Sequence, residues 1–169
     1  KLGSYRELFG HPVWRKHALL GLGLAFSGIV GLWGVGFFTF DLVGNVLREQ
    51  FEADGLSDQQ VRGAVAHWKG IASMMMNLGA AFGMYGFAIL AQRMGRKPTF
   101  AICFLAAFVS TASVFYFLTE FHQVFWMVPI MGFSVLSLFA GYAIYFPELF
   151  PTHLRSTGTS FCYNVGRFV

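Results

Sequence analysis

The eight residues Leu90–Lys97, Leu-Ala-Gln-Arg-Met-Gly-Arg-Lys, constrain this chain more than any others. They place Arg93, Arg96 and Lys97 between two long apolar runs, 70–92 and 98–119, that carry no charge. Each run is at least as long as the roughly 20 residues that a helix needs to cross a bilayer core. A charge at mid-membrane costs roughly 2.5–3.5 kcal/mol on the insertion scale, so three together belong in water or among headgroups. The stretch therefore reads as a short turn between two spanning helices, with Gly95 permitting the reversal.

Composition supports the same class. Residues are 56% hydrophobic and only 12% charged, against about 25% charged in a soluble domain. The expected fold is an all-α, polytopic transmembrane helix bundle with four full spans and the start of a fifth. The formal charge of +4 could suggest nucleic acid, but the basic residues sit in membrane-flanking segments, which excludes that partner. Cys103 and Cys162 lie in apolar runs, where a disulfide is not expected.

Residues 1–17 form a basic lead-in, either a short interfacial helix ending at Gly10-His11-Pro12 or a plain linker. The membrane domain is expected over 18–169, with spans at about 18–47, 58–92, 98–119, 123–147 and 156–169. In the first span Gly21, Ala25, Gly28 and Gly31 are spaced like a packing face. Asp41, near its far end, is either a solvated interfacial acid or a functional intramembrane one. Ser57 with Gln60 reads as a capping box that starts a helix near Asp58. Gly79 and Gly83 make a GxxxG pair, and Asn77 is expected to bond another helix or, less readily, to meet a solute. The last run stops at Val169, about half a span long, so the chain is expected to be part of a longer protein.

No Ser-His-Asp, HExxH or phosphate-loop pattern is present, and the five histidines are scattered over loops, so neither catalysis nor a metal or other cofactor is expected. Three segments must share one side of the membrane: the lead-in, the Arg93–Lys97 turn and the 148–155 loop. They hold four, three and one Lys or Arg. The opposite side has three in 48–69, offset by four acids, and none near Glu120. The positive-inside rule puts the first set in the cytoplasm.

Gln92-Arg93-Met94-Gly95-Arg96-Lys97 resembles a loop signature of the major facilitator superfamily: an acid, a base, any residue, Gly and two bases. Glu148, six residues and Arg155 resemble that superfamily's second cytoplasmic signature. The acidic position is Gln92 here, a departure commoner in the second half's copy. The resemblance therefore implies the C-terminal half of a sugar or organic-acid porter, with the other half of the same chain as partner. It also implies a secondary transporter of a small solute in the bilayer, working by alternating access, proton-coupled, and placed in the plasma (inner) membrane. Gln92, Arg93, Gly95, Arg96, Lys97, Glu148 and Arg155 would form the cytoplasmic gate. Trp33, Asn77, Tyr142 and Asn164 become candidates for lining the solute cavity. Arg167 would bind an anionic solute or pair with an absent helix, and Asp41 becomes the candidate for proton coupling. The competing reading is a non-transporting sensor or assembly subunit on the same scaffold. A channel is disfavoured by the lack of a charged ring or filter-like loop.

Overall fold

The computed structural model describes residues 3–165, apart from the side chain of Leu32. Six helices follow in order: α1 (Tyr5–Gly10), α2 (Pro12–Ala53), α3 (Asp58–Met94), α4 (Arg96–Phe117), α5 (Phe121–Glu148) and α6 (Arg155–Val165). Helices α2 to α5 are each long and apolar enough to cross a membrane. Among the described residues there is no strand. The chain divides into two compact units: Gly34–Leu138 forms one, and the segments up to Trp33 and from Phe139 form the other.

The turn at Leu90–Lys97 is tighter than its sequence suggested. Arg93 lies in the last turn of α3, Met94 closes it, Arg96 opens α4, and Gly95 alone separates the two helices. Gly95 has φ +87°, a conformation in which any Cβ is strained. Pro98 lies within the first turn of α4 rather than at its start, where its missing N–H costs no helical bond. Arg93 suits the negative end of the α3 dipole. Arg96 and Lys97 face the positive end of α4, which is mildly unfavourable. Helix stability therefore does not account for those two cations.

Within the Gly34–Leu138 unit, α3 buries one stripe, Ala72, Met76, Gly79, Ala80, Gly83, Phe87 and Ala91. A Cβ on Gly79 would collide with the Pro129 carbonyl, and one on Gly83 with the Phe133 carbonyl. Reciprocally, a Cβ on Gly132 would strike the Met76 carbonyl. The GxxxG pair thus packs backbone to backbone against α5, the arrangement small residues allow in lipid. Phe87 meets Phe100 edge-on at 5.1 Å across the α3–α4 hairpin.

At the end of this unit away from Gly95, Trp68 packs on Phe121 and Phe125, with ring centroids 4.9 and 5.5 Å apart. Phe51 of α2 reaches Phe121 at 6.1 Å. Gln123 Oε1 accepts from the Thr119 and Glu120 amides and caps α5. The Ser57 amide donates to Gln60 Oε1 at 3.0 Å, so the expected capping box starts α3 at Asp58.

In the other unit the lead-in is a helix. Ser4 caps α1, and Leu8 is fully buried. Phe9 meets Phe161 edge-on at 5.0 Å, Glu7 pairs with His153 at 3.1 Å, and Thr157 donates to the Gly3 carbonyl at 3.0 Å. Helix α2 begins at Pro12, several residues before the expected start of the first span. His17 Nδ1 lies 2.9 Å from the Leu149 carbonyl. Gly21 lies beneath Cys162 Sγ and Gly28 beneath the Tyr142 hydroxyl. Gly31, by contrast, faces open space and is no part of the packing face.

Candidate functional site

The charged signature residues fall into two groups. Gln92, Arg93, Gly95, Arg96 and Lys97 surround the α3–α4 turn; Gln92, Arg93 and Lys97 are exposed and Arg96 is partly covered. Glu148 ends α5 and Arg155 opens α6, both exposed, with the Pro151 bend between them. The Leu154 amide donates to the Pro151 carbonyl at 2.9 Å and shapes that bend.

Asp41 sits on α2 with its carboxylate 4.0 Å from Lys69 Nζ of α3. The Lys69 chain runs across Gly44, where the missing side chain leaves room for it. Sequence reasoning missed this pair, because Asp41 and Lys69 belong to different helices and nothing local links them. The acid is well exposed, so the pair contributes at most about 1 kcal/mol.

The other candidates differ in exposure and in bonding. Asn77 is exposed, and its amide donates to Ser73 O at 2.8 Å, a bond within its own helix rather than the expected bridge to another. Met74, Leu78, Phe82 and Tyr85 share that open face of α3. Trp33 is half exposed. Tyr142 is a packing residue here: it is 2% exposed, donates to Leu24 O at 3.2 Å, and stacks on Phe146 at 5.2 Å. Arg167 lies outside the described residues.

Arg155 and Asn164 come together with residues that sequence reasoning passed over. Pro147, Thr152, Arg155, Ser156, Thr159, Ser160, Tyr163 and Asn164 line an open groove of about 650 Å³. On α6, positions 155/156, 159/160 and 163/164 recur at helical spacing, so the polar residues form one stripe. Among the described residues no His, Cys, Asp and Glu group could hold a metal.

The sequence model of the family described as "Sugar (and other) transporter" matches residues 22–169, all but the lead-in and the first turns of α2. The chain belongs to that family. It is of the major facilitator kind, a family of transporters rather than of enzymes. A Cupriavidus pinatubonensis protein named as a probable 4-methylmuconolactone transporter is 36% identical over 95 residues, covering 53% of this chain and 22% of that protein. A Haemophilus influenzae protein named for metabolite transport is 33% identical over 91 residues, covering 54% of this chain and 22% of its own length. Each match thus spans about a fifth of the relative. No solved structure matches the chain with comparable significance.

Proposed function

We propose that this family member is part of a secondary transporter that carries a small solute, a sugar or an organic acid, across the plasma (inner) membrane. The match to the transporter family over nearly the whole chain carries the reading. The naming of one relative for a lactone and of another for metabolites supports a metabolite as cargo. The chain supplies spans seven to ten and the start of eleven, on the strength of Gln92 at the signature's acidic position and the basic lead-in. Its N-terminal segment and the Gly95 turn face the cytoplasm, following the distribution of Lys and Arg.

The transport cycle is alternating access. The charged ends of the cytoplasmic turns form an inner gate, which needs only a few kcal/mol to shift between closed and open populations. Glu148 is the gate's carboxylate. Arg96 is its partner in preference to Lys97, because a guanidinium fork holds a carboxylate bidentately. With Gln92 in place of an acid, the signature offers one negative charge fewer. Asp41, on α2 beside Lys69 of α3, is the coupling acid. Uptake of sugars and organic acids into liposomes holding the full-length protein tests coupling. Faster saturable uptake with acid outside is the expected result, and rates independent of the proton gradient would remove Asp41 from this role.

A further inference from the structure

The lead-in is bonded to both limbs of the Pro151 bend. His17 Nδ1 meets the Leu149 carbonyl at 2.9 Å, before the proline. Beyond it, His153 Nε2 meets Glu7 Oε1 at 3.1 Å, and Thr157 Oγ1 donates to the Gly3 carbonyl at 3.0 Å. As the chain advances from Leu149 through His153 to Thr157, its partners run backwards from His17 through Glu7 to Gly3. The lead-in therefore lies along the bend in the opposite direction and holds it on either side of Pro151.

The donors are fixed by chemistry. A carbonyl only accepts, so His17 carries a proton on Nδ1 and satisfies one of the orphan carbonyls that follow α5. Trp14 meets the His17 ring edge-on at 5.6 Å and restricts its rotation. Apolar contacts close the seam between the bonds. Leu8 and Leu154 are fully buried, Phe150 nearly so, and Phe161 meets Tyr5 and Phe9 edge-on. A Cβ on Gly3 would collide with the His153 carbonyl, so the two backbones touch there.

Helix α1 has six residues, too few to persist alone in water, so it is helical because it is docked. The Glu7–His153 pair is half exposed and adds little stability. What these contacts determine is conformation. The bend turns Phe150 and Leu154 inward and leaves Glu148 and Arg155 exposed at its two ends.

We propose that the lead-in is a strap that positions the inner gate, with Glu7 and His17 as positioning residues that act through the bend on Glu148 and Arg155. The proposal rests on the gate reading and extends it to residues outside both signatures. A carboxylate held by a guanidinium fork tolerates little displacement. Loosening the strap lets Glu148 sample orientations that miss its partner. The maximal rate then falls, while the affinity for solute stays.

The test uses the full-length protein in liposomes and two readouts. One is counterflow of glucose, xylose, lactate, succinate and benzoate. The other is the mobility of a nitroxide on a cysteine placed at Thr152, exposed in the bend, in a background free of other reactive cysteines. Glu7→Gln, His17→Ala and Gly3→Val loosen the strap by three different lesions. Each should raise nitroxide mobility and lower the maximal counterflow rate of a carried compound several-fold, at unchanged half-saturation. Exchanging the pair, Glu7→His with His153→Glu, should restore both readouts. His17→Asn, whose Nδ2 can stand in for Nδ1, should restore them in part. Glu7→Gln should leave the melting temperature nearly unchanged; a merely structural contact would lower it and reduce the rate only in proportion to the folded protein. Unchanged mobility in all three variants would show that the strap does not hold the bend. Raised mobility at an undiminished rate, or an exchanged pair no better than Glu7→Gln alone, would overturn the positioning role and leave the gate standing. Normal transport by Glu148→Gln would instead remove the gate, and the strap's role with it, whatever the nitroxide reports.

Discussion

Gly83 and Gly31 have the same side chain and opposite meaning. Gly83 lets α3 touch the Phe133 backbone of α5, while Gly31 faces open space. Gly83→Ala must push two backbones apart and should cost about 1–3 kcal/mol, the usual range for overpacking. Gly31→Ala should be neutral or stabilising by up to about 1 kcal/mol through helix propensity alone. Thermal unfolding of the two variants in detergent checks the contrast; equal effects would mean that the backbone contact between α3 and α5 does not bear on stability. Tyr142 gives a second case. Tyr142→Phe removes the hydroxyl that donates to Leu24 O and should cost about 0.6–2 kcal/mol in the same assay, as interhelical hydrogen bonds in lipid do. A loss well beyond that would show the hydroxyl to be part of a larger network.

At the scale of elements, what was legible in the sequence was whatever local chemistry decides. The capping box at Ser57 and Gln60 needs only residues three apart, and α3 begins where it indicated. The spans and the Gly95 turn follow from where charge cannot go. Partners on other helices were not legible. Asn77 was expected to reach across and instead bonds Ser73, because a helical amide can always fold back on its own carbonyls. The Lys69–Asp41 pair and the covering of Tyr142 depend on which faces meet, and no alignment of neighbours is written in periodicity. The turns carry two predictions. In a background without Cys103 and Cys162, a cysteine at Leu56 should react with an impermeant reagent outside intact cells and one at Met94 should not; the reverse pattern would invert the orientation. Glu148→Gln should impair transport by the full-length protein more than Glu120→Gln. Glu148 is assigned to the inner gate, whereas Glu120 pairs locally with His122 at 3.1 Å. Equal activity at matched expression would dismiss the gate assignment.

At the scale of the molecule, membership of the transporter family and four spanning helices leave the carrier cycle as the central claim. Counterflow tests it most directly. Liposomes holding the full-length protein are preloaded with an unlabelled sugar or organic acid, then diluted into a trace of the labelled compound without any ion gradient. A carrier that exposes one site to each side in turn predicts transient accumulation of label above equilibrium, for at least one compound of the panel. Label that only equilibrates would indicate a pore. Label that never enters liposomes containing folded protein would indicate a sensor or assembly subunit, and either result would contradict the account.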